Sequence, residues 1–179
     1  HVLPLPLDDR WFAPADARSA FREALELPEG AWLVGTVGRL DPKKGQRTAL
    51  QALAHLPEHV HWLFVGDNTV DNDRDERAAL FERAQSLGVA DRAHLFNARA
   101  DVLPVYDALD AFVMTSDSET IGTVTLEALA REVPVIGTDA GGTPELLDAG
   151  GGQLVPPRNA EALAEAVIVL MQEAPEALA

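Results

Sequence analysis

Short segments that are hydrophobic throughout are the feature of this sequence that most restricts its fold. Four of them span residues 31–37 (AWLVGTV), 61–65 (HWLFV), 111–115 (AFVMT) and 134–138 (PVIGT). Such segments are typical of parallel strands that are buried on both faces, because a strand with one solvent-exposed face alternates polar and apolar residues. Helical patterns separate them, and strict alternation of strand and helix favours a doubly wound α/β domain.

The remaining segments complete a Rossmann-like, mostly parallel sheet of six strands with helices on both faces. Further strands are predicted at residues 93–96 and 153–155. Thr143 and Asn159 are expected to cap the helices at whose starts they lie. Helices are predicted at residues 16–27, 46–56, 75–87, 102–109, 122–131 and 159–172, with a short one near residue 143.

Residues 1–14 differ from the rest of the chain because Leu and Pro alternate there. Proline disfavours helix, so this segment is predicted to be an extended interdomain linker that Trp11 and Phe12 hold in place. Residues 15–174 form one predicted domain without internal repeats. Since the chain begins at His1, we expect it to be part of a longer protein.

Composition excludes several classes of function. The net charge of −15 over 179 residues argues against nonspecific nucleic-acid binding and against direct contact with an anionic membrane. No apolar run approaches the roughly 20 residues that span a bilayer. The chain has no cysteine, which excludes disulfides and thiolate metal sites and fits a cytoplasmic protein.

The loop after the first strand is rich in glycine and cations. Ligands of parallel α/β sheets bind at the carboxyl ends of the strands, where this loop lies. Arg39 and Lys44 suit a diphosphate, and Gly38 and Gly45 allow the backbone to approach it. The alternative is a solvated turn before a helix.

The stretch 115–145 carries two carboxylates, Glu119 and Glu127, with seven residues between them. Gly122 and Thr123 open a helix whose N–H groups and dipole suit a phosphate. Glu119 precedes this helix and suits a ligand rich in hydroxyls, while Glu127 is placed to accept both hydroxyls of a ribose. The alternative makes them a solvated loop residue and part of an exposed helix face.

Two further loops are less specific. Gly141 and Gly142 form either a second anion site or a tight turn. Asn97 and Arg99 follow the third strand and either meet a base or second phosphate or lie at the surface. The chain has no dinucleotide-binding fingerprint, no P-loop and no nucleophile elbow. Metal binding by the histidines near Pro57 is disfavoured, since that proline interrupts a shared helix face.

Taken in order, several segments match a known family. They are 9–14, Gly-Arg-Leu…Lys-Gly at 38–45, Val-Gly-Asp at 65–67, Glu-x7-Glu-Ala-Leu-Ala at 119–130, Val-Pro-Val-Ile at 133–136, Gly-Gly-x-x-Glu at 141–145 and Leu-Val-Pro-Pro at 154–157. The set covers nearly the whole chain. It resembles the C-terminal, donor-binding domain of retaining GT-B glycosyltransferases of family 4, also called glycosyl transferases group 1.

The resemblance implies roles for individual residues. Arg39 and Lys44 hold the donor diphosphate, and Glu119 contacts the donor sugar near the reacting centre; these three are the expected catalytic residues. The expected donor-binding set adds the ribose ligand Glu127 and the residues Gly38, Asn97, Thr120, Ile121, Gly122 and Thr123. Of these, Asn97 borders the base, and Ile121, Gly122 and Thr123 contact the sugar and phosphate through their backbone.

The resemblance also implies a reaction and its partners. A nucleoside-diphosphate sugar is the substrate, a hexose-type sugar passes with retention to a glycan or glycolipid, and no metal or cofactor takes part. The acceptor lies in an N-terminal domain that this chain lacks, so the chain alone is expected to be inactive. The full-length enzyme is expected in the cytoplasm, with a peripheral position at the inner membrane face compatible with polysaccharide or envelope biosynthesis.

Three positions depart from the family pattern, and alternative functions stay open. Thr120 and Ile121 stand where the family usually has Gly and Phe, which puts the donor in doubt, and Glu132 stands where it usually has Gly. One alternative function is an inactive nucleotide-sugar-binding module. Another is a different GT-B-like enzyme such as a sugar-nucleotide epimerase or a phosphorylase.

Overall fold

The computed structural model describes residues 7–13, 18–69, 75–120, 122–148 and 150–173. Its sheet has six strands in the order β3-β2-β1-β4-β5-β6, and all neighbouring strands are parallel. This order confirms the doubly wound fold. The second and third strands are added outward on one side of β1 and the last three on its other side, so the strand order reverses between β1 and β4. The strands are β1 Trp32–Val37, β2 Val60–Val65, β3 Ala93–Phe96, β4 Ala111–Met114, β5 Val135–Thr138 and β6 Gly152–Val155.

Helices lie between the strands as predicted, most of them shorter at their ends. Two short 3-10 segments, Asp9–Phe12 and Pro42–Lys44, occur in addition. The α-helices of the described residues are α1 Arg18–Ala24, α2 Gln46–Leu53, α3 Glu76–Ser86, α4 Leu103–Ala108, α5 Thr123–Ala130, α6 Thr143–Leu147 and α7 Ala160–Glu173.

Consecutive strand residues belong to two separate hydrophobic cores. Trp32 and Val34 pack with α2, α3 and α7 on one face of the sheet, while Leu33 packs with α1, α4, α5 and α6 on the other. Both faces are therefore dry. This explains why the strands are hydrophobic throughout rather than at alternate positions.

The start of the chain departs from the extended linker that was predicted. Residues Asp9–Phe12 form a 3-10 turn, because the carboxylate of Asp8 accepts a hydrogen bond from the N–H of Arg10 and no proline interrupts 7–13. Trp11 is buried, as expected, but Phe12 is 66% exposed and does not pack into the described part of the domain. Residues 1–6 and 14 lie outside the described ranges.

The two predicted caps have different outcomes. Asn159 caps α7, since its side-chain oxygen accepts a hydrogen bond from the N–H of Ala162 at 3.0 Å. Thr143 was wrongly expected to be a cap: it is the first residue of α6, Gly142 precedes it, and no side chain within the described ranges caps the helix. Thr143 is buried with its methyl against Gly137, where an added Cβ would approach it within 2.5 Å, so its side chain faces the sheet.

The end of α5 explains why a glycine suits position 132. The N–H of Val133 donates to the carbonyl of Ala128, and the N–H of Glu132 donates to that of Leu129, each at 3.0 Å. These bonds form a Schellman motif, whose penultimate residue adopts the left-handed conformation. Glu132 accordingly has φ +58°, and its side chain is exposed, as the sequence predicts.

We expect Glu132→Gly to stabilise the domain by up to about 1 kcal/mol, because glycine adopts positive φ without the steric penalty of a side chain. The control is Glu165→Gly at an exposed position inside α7. That change should cost about 1 kcal/mol of helix propensity. Chemical denaturation of both variants measures the two effects, and destabilisation by Glu132→Gly would contradict the prediction.

A histidine pair on β2 and β3 makes the domain sensitive to acid. Nδ1 of His61 and Nε2 of His94 lie 3.0 Å apart, so one ring accepts a hydrogen bond and must be neutral. The pKa of each ring is lowered, first by burial and for His61 next by the charge of Arg92, against an opposing effect of Asp91. The folded state therefore resists protonation of both rings.

We expect the contribution of this pair to stability to be fully present well above pH 6.5 and to be lost as the pH falls through that value. The unfolded histidines take up protons there while the folded ones do not, so each adds a slope of at most about 1.4 kcal/mol per pH unit. Melting temperatures between pH 7.5 and 5 should fall less steeply in His94→Gln than in the wild type. His55→Gln, at an exposed position, is the control, and an unchanged slope in His94→Gln would refute the assignment.

Candidate functional site

The loops that follow β1 and β4 are bound to each other at the carboxyl edge of the sheet. The hydroxyl of Thr115 donates to the carbonyl of Lys44 at 2.8 Å, and the N–H of Asp117 donates to the carbonyl of Lys43 at 2.8 Å. Gly45 has φ +71°, and a Cβ there would lie 1.9 Å from the carbonyl oxygen of Thr115. Only glycine allows the two loops to come this close.

A cleft of about 90 Å³ opens between these loops. It brings together five of the predicted site residues, which come from both loops and from the start of α5. They are Gly38, Lys44, Glu119, Gly122 and Thr123. The other lining residues are Thr36, Val37, Gln46, Met114, Ser116 and Val124.

Lys44 and Glu119 form an ion pair inside the cleft, although 75 positions separate them in the chain. The other carboxylate oxygen of Glu119 accepts a hydrogen bond from the N–H of Thr120 at 3.2 Å. Burial alone would raise the pKa of Glu119, but the hydrogen bond and charge of Lys44 outweigh it and lower the pKa. Glu119 is therefore ionised near neutral pH and acts only as an acceptor.

The first turn of α5 lines the same cleft through Thr123 and Val124. Gly122 precedes the helix at φ +56°, and no side chain of the described residues caps it. The N–H groups of Thr123 and Val124 have no partner within the helix, because the first turn of any helix lacks acceptors. Together with the helix dipole, these N–H groups favour a negatively charged group next to the Lys44–Glu119 ion pair.

The paired glycines after β5 support the loop that carries Glu119. The N–H of Gly142 donates to the carbonyl of Glu119 at 2.7 Å. A Cβ at Gly141 would lie 2.1 Å from that oxygen, and one at Gly142 would lie 2.4 Å from the carbonyl oxygen of Thr120. This close contact favours the tight turn over a second anion site.

Several predicted site residues do not line the cleft. Arg39 is exposed next to Gly38, and within the described ranges its guanidinium has no partner. Asn97 and Thr120 are exposed as well, and Ile121 lies outside the described residues. Arg99 stacks over the ring of Phe21 at 5.2 Å, which corresponds to the surface alternative for that residue.

Glu127 has a partner that the sequence did not reveal. It does not line the cleft; it is half-buried one turn into α5, and its Oε2 accepts a hydrogen bond from the hydroxyl of Tyr106 at 2.7 Å. The pKa of Tyr106 is raised well above 10, first by burial and then by the charge of Glu127. The phenol therefore keeps its proton and remains a donor. Ser116, whose hydroxyl lies 3.5 Å from Glu119 Oε2, was also missed.

A wider cleft of about 710 Å³ lies elsewhere, between α2, α3 and the start of α7. His55, Arg83 and Arg158 line it, and Arg158 is paired with Asp117 at 2.6 Å. This cleft opens between helices, and residues of the loops after β1 and β4 do not line it. The smaller cleft is the better candidate because charged groups and free backbone donors converge in it.

Neither a metal site nor a membrane span is evident in the described part of the chain. No three side chains of His, Asp or Glu there are grouped to hold a metal ion. None of the helices in those ranges has the length and apolarity that crossing a bilayer requires.

The strand order and the position of the cleft define a Rossmann-like α/β domain of the kind that forms the C-terminal half of GT-B glycosyltransferases. Residues 17–178 match the model of the family described as glycosyl transferases group 1, and the chain belongs to this family.

Three similar proteins illustrate the relationship. The lipopolysaccharide core biosynthesis glycosyltransferase LpsE of Rhizobium meliloti is 34% identical over 82% of this chain and 41% of its own length. Anabaena Alr3699/HepE, solved in complex with UDP and glucose, has a TM-score of 0.86 and 30% identity over 96% of this chain and 47% of its own.

The third is the C-terminal domain of LpcC, a group 1 protein of Francisella tularensis. It has a TM-score of 0.81 and 26% identity, with 95% of this chain and 90% of that domain covered. The chain thus spans less than half of LpsE and HepE but nearly all of an isolated C-terminal domain.

Proposed function

We propose that this domain binds a nucleoside-diphosphate sugar in the cleft between the loops after β1 and β4. It serves as the donor half of a retaining glycosyltransferase that passes a hexose-type sugar to a glycan or glycolipid. The observation that carries the proposal is the convergence of Lys44, Glu119 and the open first turn of α5 on one cleft.

The charges of the cleft suit a diphosphate next to a sugar. The Lys44 ammonium and the N–H groups of Thr123 and Val124 offer donors to phosphate oxygens, while Glu119 offers acceptors to sugar hydroxyls. Arg39 follows Gly38 of the cleft lining, and its exposed guanidinium, which has no partner among the described residues, can fold over the diphosphate from outside. As the glycosidic bond breaks, negative charge grows on the leaving phosphate, and preorganised cations and N–H groups stabilise it.

The Lys44–Glu119 ion pair has a second consequence. Each group satisfies the other before the donor arrives, so neither charge is left unpaired in a half-buried cleft. A diphosphate competes for the ammonium, and sugar hydroxyls replace it at Glu119. Donor binding then exchanges one set of charge-assisted bonds for another.

Similar proteins support this assignment and suggest the first nucleotide to test. Structures of HepE contain UDP, UDP with glucose, or UDP-glucose. The acceptor is proposed to bind another domain of the full-length enzyme, and the chain alone is proposed to bind the donor without transferring sugar. We further propose a cytoplasmic enzyme without metal or cofactor, so that EDTA leaves nucleotide affinity unchanged within about twofold.

Calorimetric titration of the chain with UDP, GDP, ADP and their sugars tests the proposal. One nucleotide should bind, and Glu127→Ala should weaken it by roughly 10- to 150-fold, because a hydrogen bond to a charged group contributes about 1.5–3 kcal/mol. Glu132→Ala, at the exposed end of the same helix, should bind like the wild type. Failure of all three nucleotides to bind would refute the proposal.

A further inference from the structure

Tyr106 on α4 makes a hydrogen bond that the proposed donor site does not yet explain. Its side chain is completely buried, and its hydroxyl donates to Oε2 of Glu127 at 2.7 Å. The carbonyl oxygen of Val124, in the first turn of α5, lies 3.3 Å from the same hydroxyl. A polar atom inside the core thus bonds Glu127, the side chain that the proposed function assigns to the ribose, although Glu127 does not itself line the cleft.

Aromatic packing holds the ring of Tyr106 in position. Trp11 meets it edge-on with ring centroids 5.8 Å apart, and Phe112 meets it at a tilt with centroids 5.7 Å apart. Both neighbours are buried. Arg131 of the α5 end donates to the carbonyl of Trp11 at 3.0 Å and so holds the indole against the domain. The hydroxyl therefore occupies a defined point.

This arrangement gives the two carboxylate oxygens of Glu127 different partners. Oε2 is held by Tyr106, which leaves Oε1 as the acceptor for a ligand. A half-buried glutamate without this anchor would sample several rotamers, and ordering it on binding would oppose association. Because the pKa of Tyr106 is raised, the phenol donates over the whole neutral range.

We propose that Tyr106 is a positioning residue that holds Glu127 ready to receive the ribose hydroxyls of the donor. This inference rests on the proposed function, in which Glu127 binds the ribose. Tyr106 itself does not touch the nucleotide. A positioning role predicts that its effect passes through Glu127 and the ribose, whereas an effect through the longer contact with Val124 or through packing would change the binding of all nucleotides alike.

The test compares a ribonucleotide with its analogue that lacks both ribose hydroxyls. The probes are UDP and 2′,3′-dideoxy-UDP, replaced by the GDP or ADP pair if calorimetry selects another base. Tyr106→Phe should weaken binding of the ribonucleotide by roughly 3- to 10-fold, the effect of one hydrogen bond. It should leave binding of the dideoxy analogue unchanged within about twofold.

A matched control separates lost packing from lost positioning. Phe112→Leu loosens the same ring cluster but retains the hydroxyl of Tyr106. It should lower the melting temperature, and any change in affinity should be the same for the ribonucleotide and for the dideoxy analogue. If Tyr106→Phe weakens both nucleotides equally, the residue is structural only and the inference is wrong.

The outcomes also distinguish this inference from the proposed function. Loss of ribonucleotide binding in Glu127→Ala with normal binding in Tyr106→Phe would overturn the inference and leave the donor site intact. Absence of any nucleotide binding by the wild type would overturn both.

A second measurement needs neither nucleotide nor a folded Tyr106→Phe variant. Tyr106 is the only tyrosine of the chain, so absorbance near 295 nm follows its ionisation alone. The wild-type phenol should titrate above pH 10, and Glu127→Gln should lower its pKa because the neighbouring charge is removed. Identical titrations of the two proteins would show that the bond to Glu127 does not form and would overturn the inference.

Discussion

Replacing Lys44 by methionine should weaken binding of a nucleoside diphosphate by roughly 10- to 150-fold. The ammonium is the one cationic side chain among the described residues that line the cleft, and a hydrogen bond to a charged group is worth about 1.5–3 kcal/mol. Methionine keeps much of the aliphatic stem, so packing of the loop should change little. Calorimetric titration with UDP, GDP and ADP measures the effect.

The neighbouring lysine supplies a matched control. Lys43 is exposed and does not line the cleft, so Lys43→Met removes the same charge from the same loop without removing a ligand. Its affinity should remain within about threefold of the wild type, since an exposed charge is screened by salt. Equal losses in the two variants would mean that Lys44 acts only through the overall charge.

Lys44→Met also leaves Glu119 without its partner, which complicates a single substitution. The double variant Lys44→Met, Glu119→Gln removes this unpaired carboxylate. We expect it to bind a nucleoside diphosphate as weakly as Lys44→Met does. Recovery to wild-type affinity would instead assign the loss to repulsion between Glu119 and the phosphates.

Replacing Arg131 by methionine should lower the free energy of unfolding by about 3–5 kcal/mol, because it leaves a buried carboxylate without its partner. The side chains of Arg131 and Asp107 are 5% and 7% exposed. Nε of Arg131 donates to Oδ1 of Asp107 at 2.8 Å, and Nη1 donates to the carbonyl of Trp11 at 3.0 Å. Urea denaturation of the variant measures the loss.

An exposed pair provides the comparison. Arg10 and Asp8 lie 3.2 Å apart with side chains 57% and 64% exposed, so Arg10→Met should change stability by less than about 1 kcal/mol. Adding Asp107→Leu to Arg131→Met removes the orphaned carboxylate and should restore part of the loss. If Arg131→Met costs no more than Arg10→Met, the buried pair does not contribute as described.

The fold was predictable because burial on both faces leaves a direct record in the sequence. β1 and β2 each lie between two helix layers, and the sequence of each strand is therefore mostly apolar along its whole length. The carboxyl ends of such strands meet at one edge of the sheet, which is why Lys44, Glu119 and Gly122 could be expected near one another.

Side-chain pairs were not predictable in the same way. Nothing local in the sequence indicates that Lys44 bonds to Glu119 or that Tyr106 bonds to Glu127, because each pair depends on how separate elements pack. Thr143 illustrates the same limit. Its residue type favours a helix cap, but packing against Gly137 turns its side chain toward the sheet.

Mapping the nucleotide on the protein by NMR tests the central claim most directly. UDP-glucose, or the sugar nucleotide selected by calorimetry, is titrated into the ¹⁵N-labelled chain while backbone amide resonances are followed. The account predicts the largest shifts at Gly38, Lys44 and Thr123, around the cleft between the loops after β1 and β4. Shifts confined to His55 and Arg83, in the wider cleft between the helices, would contradict it.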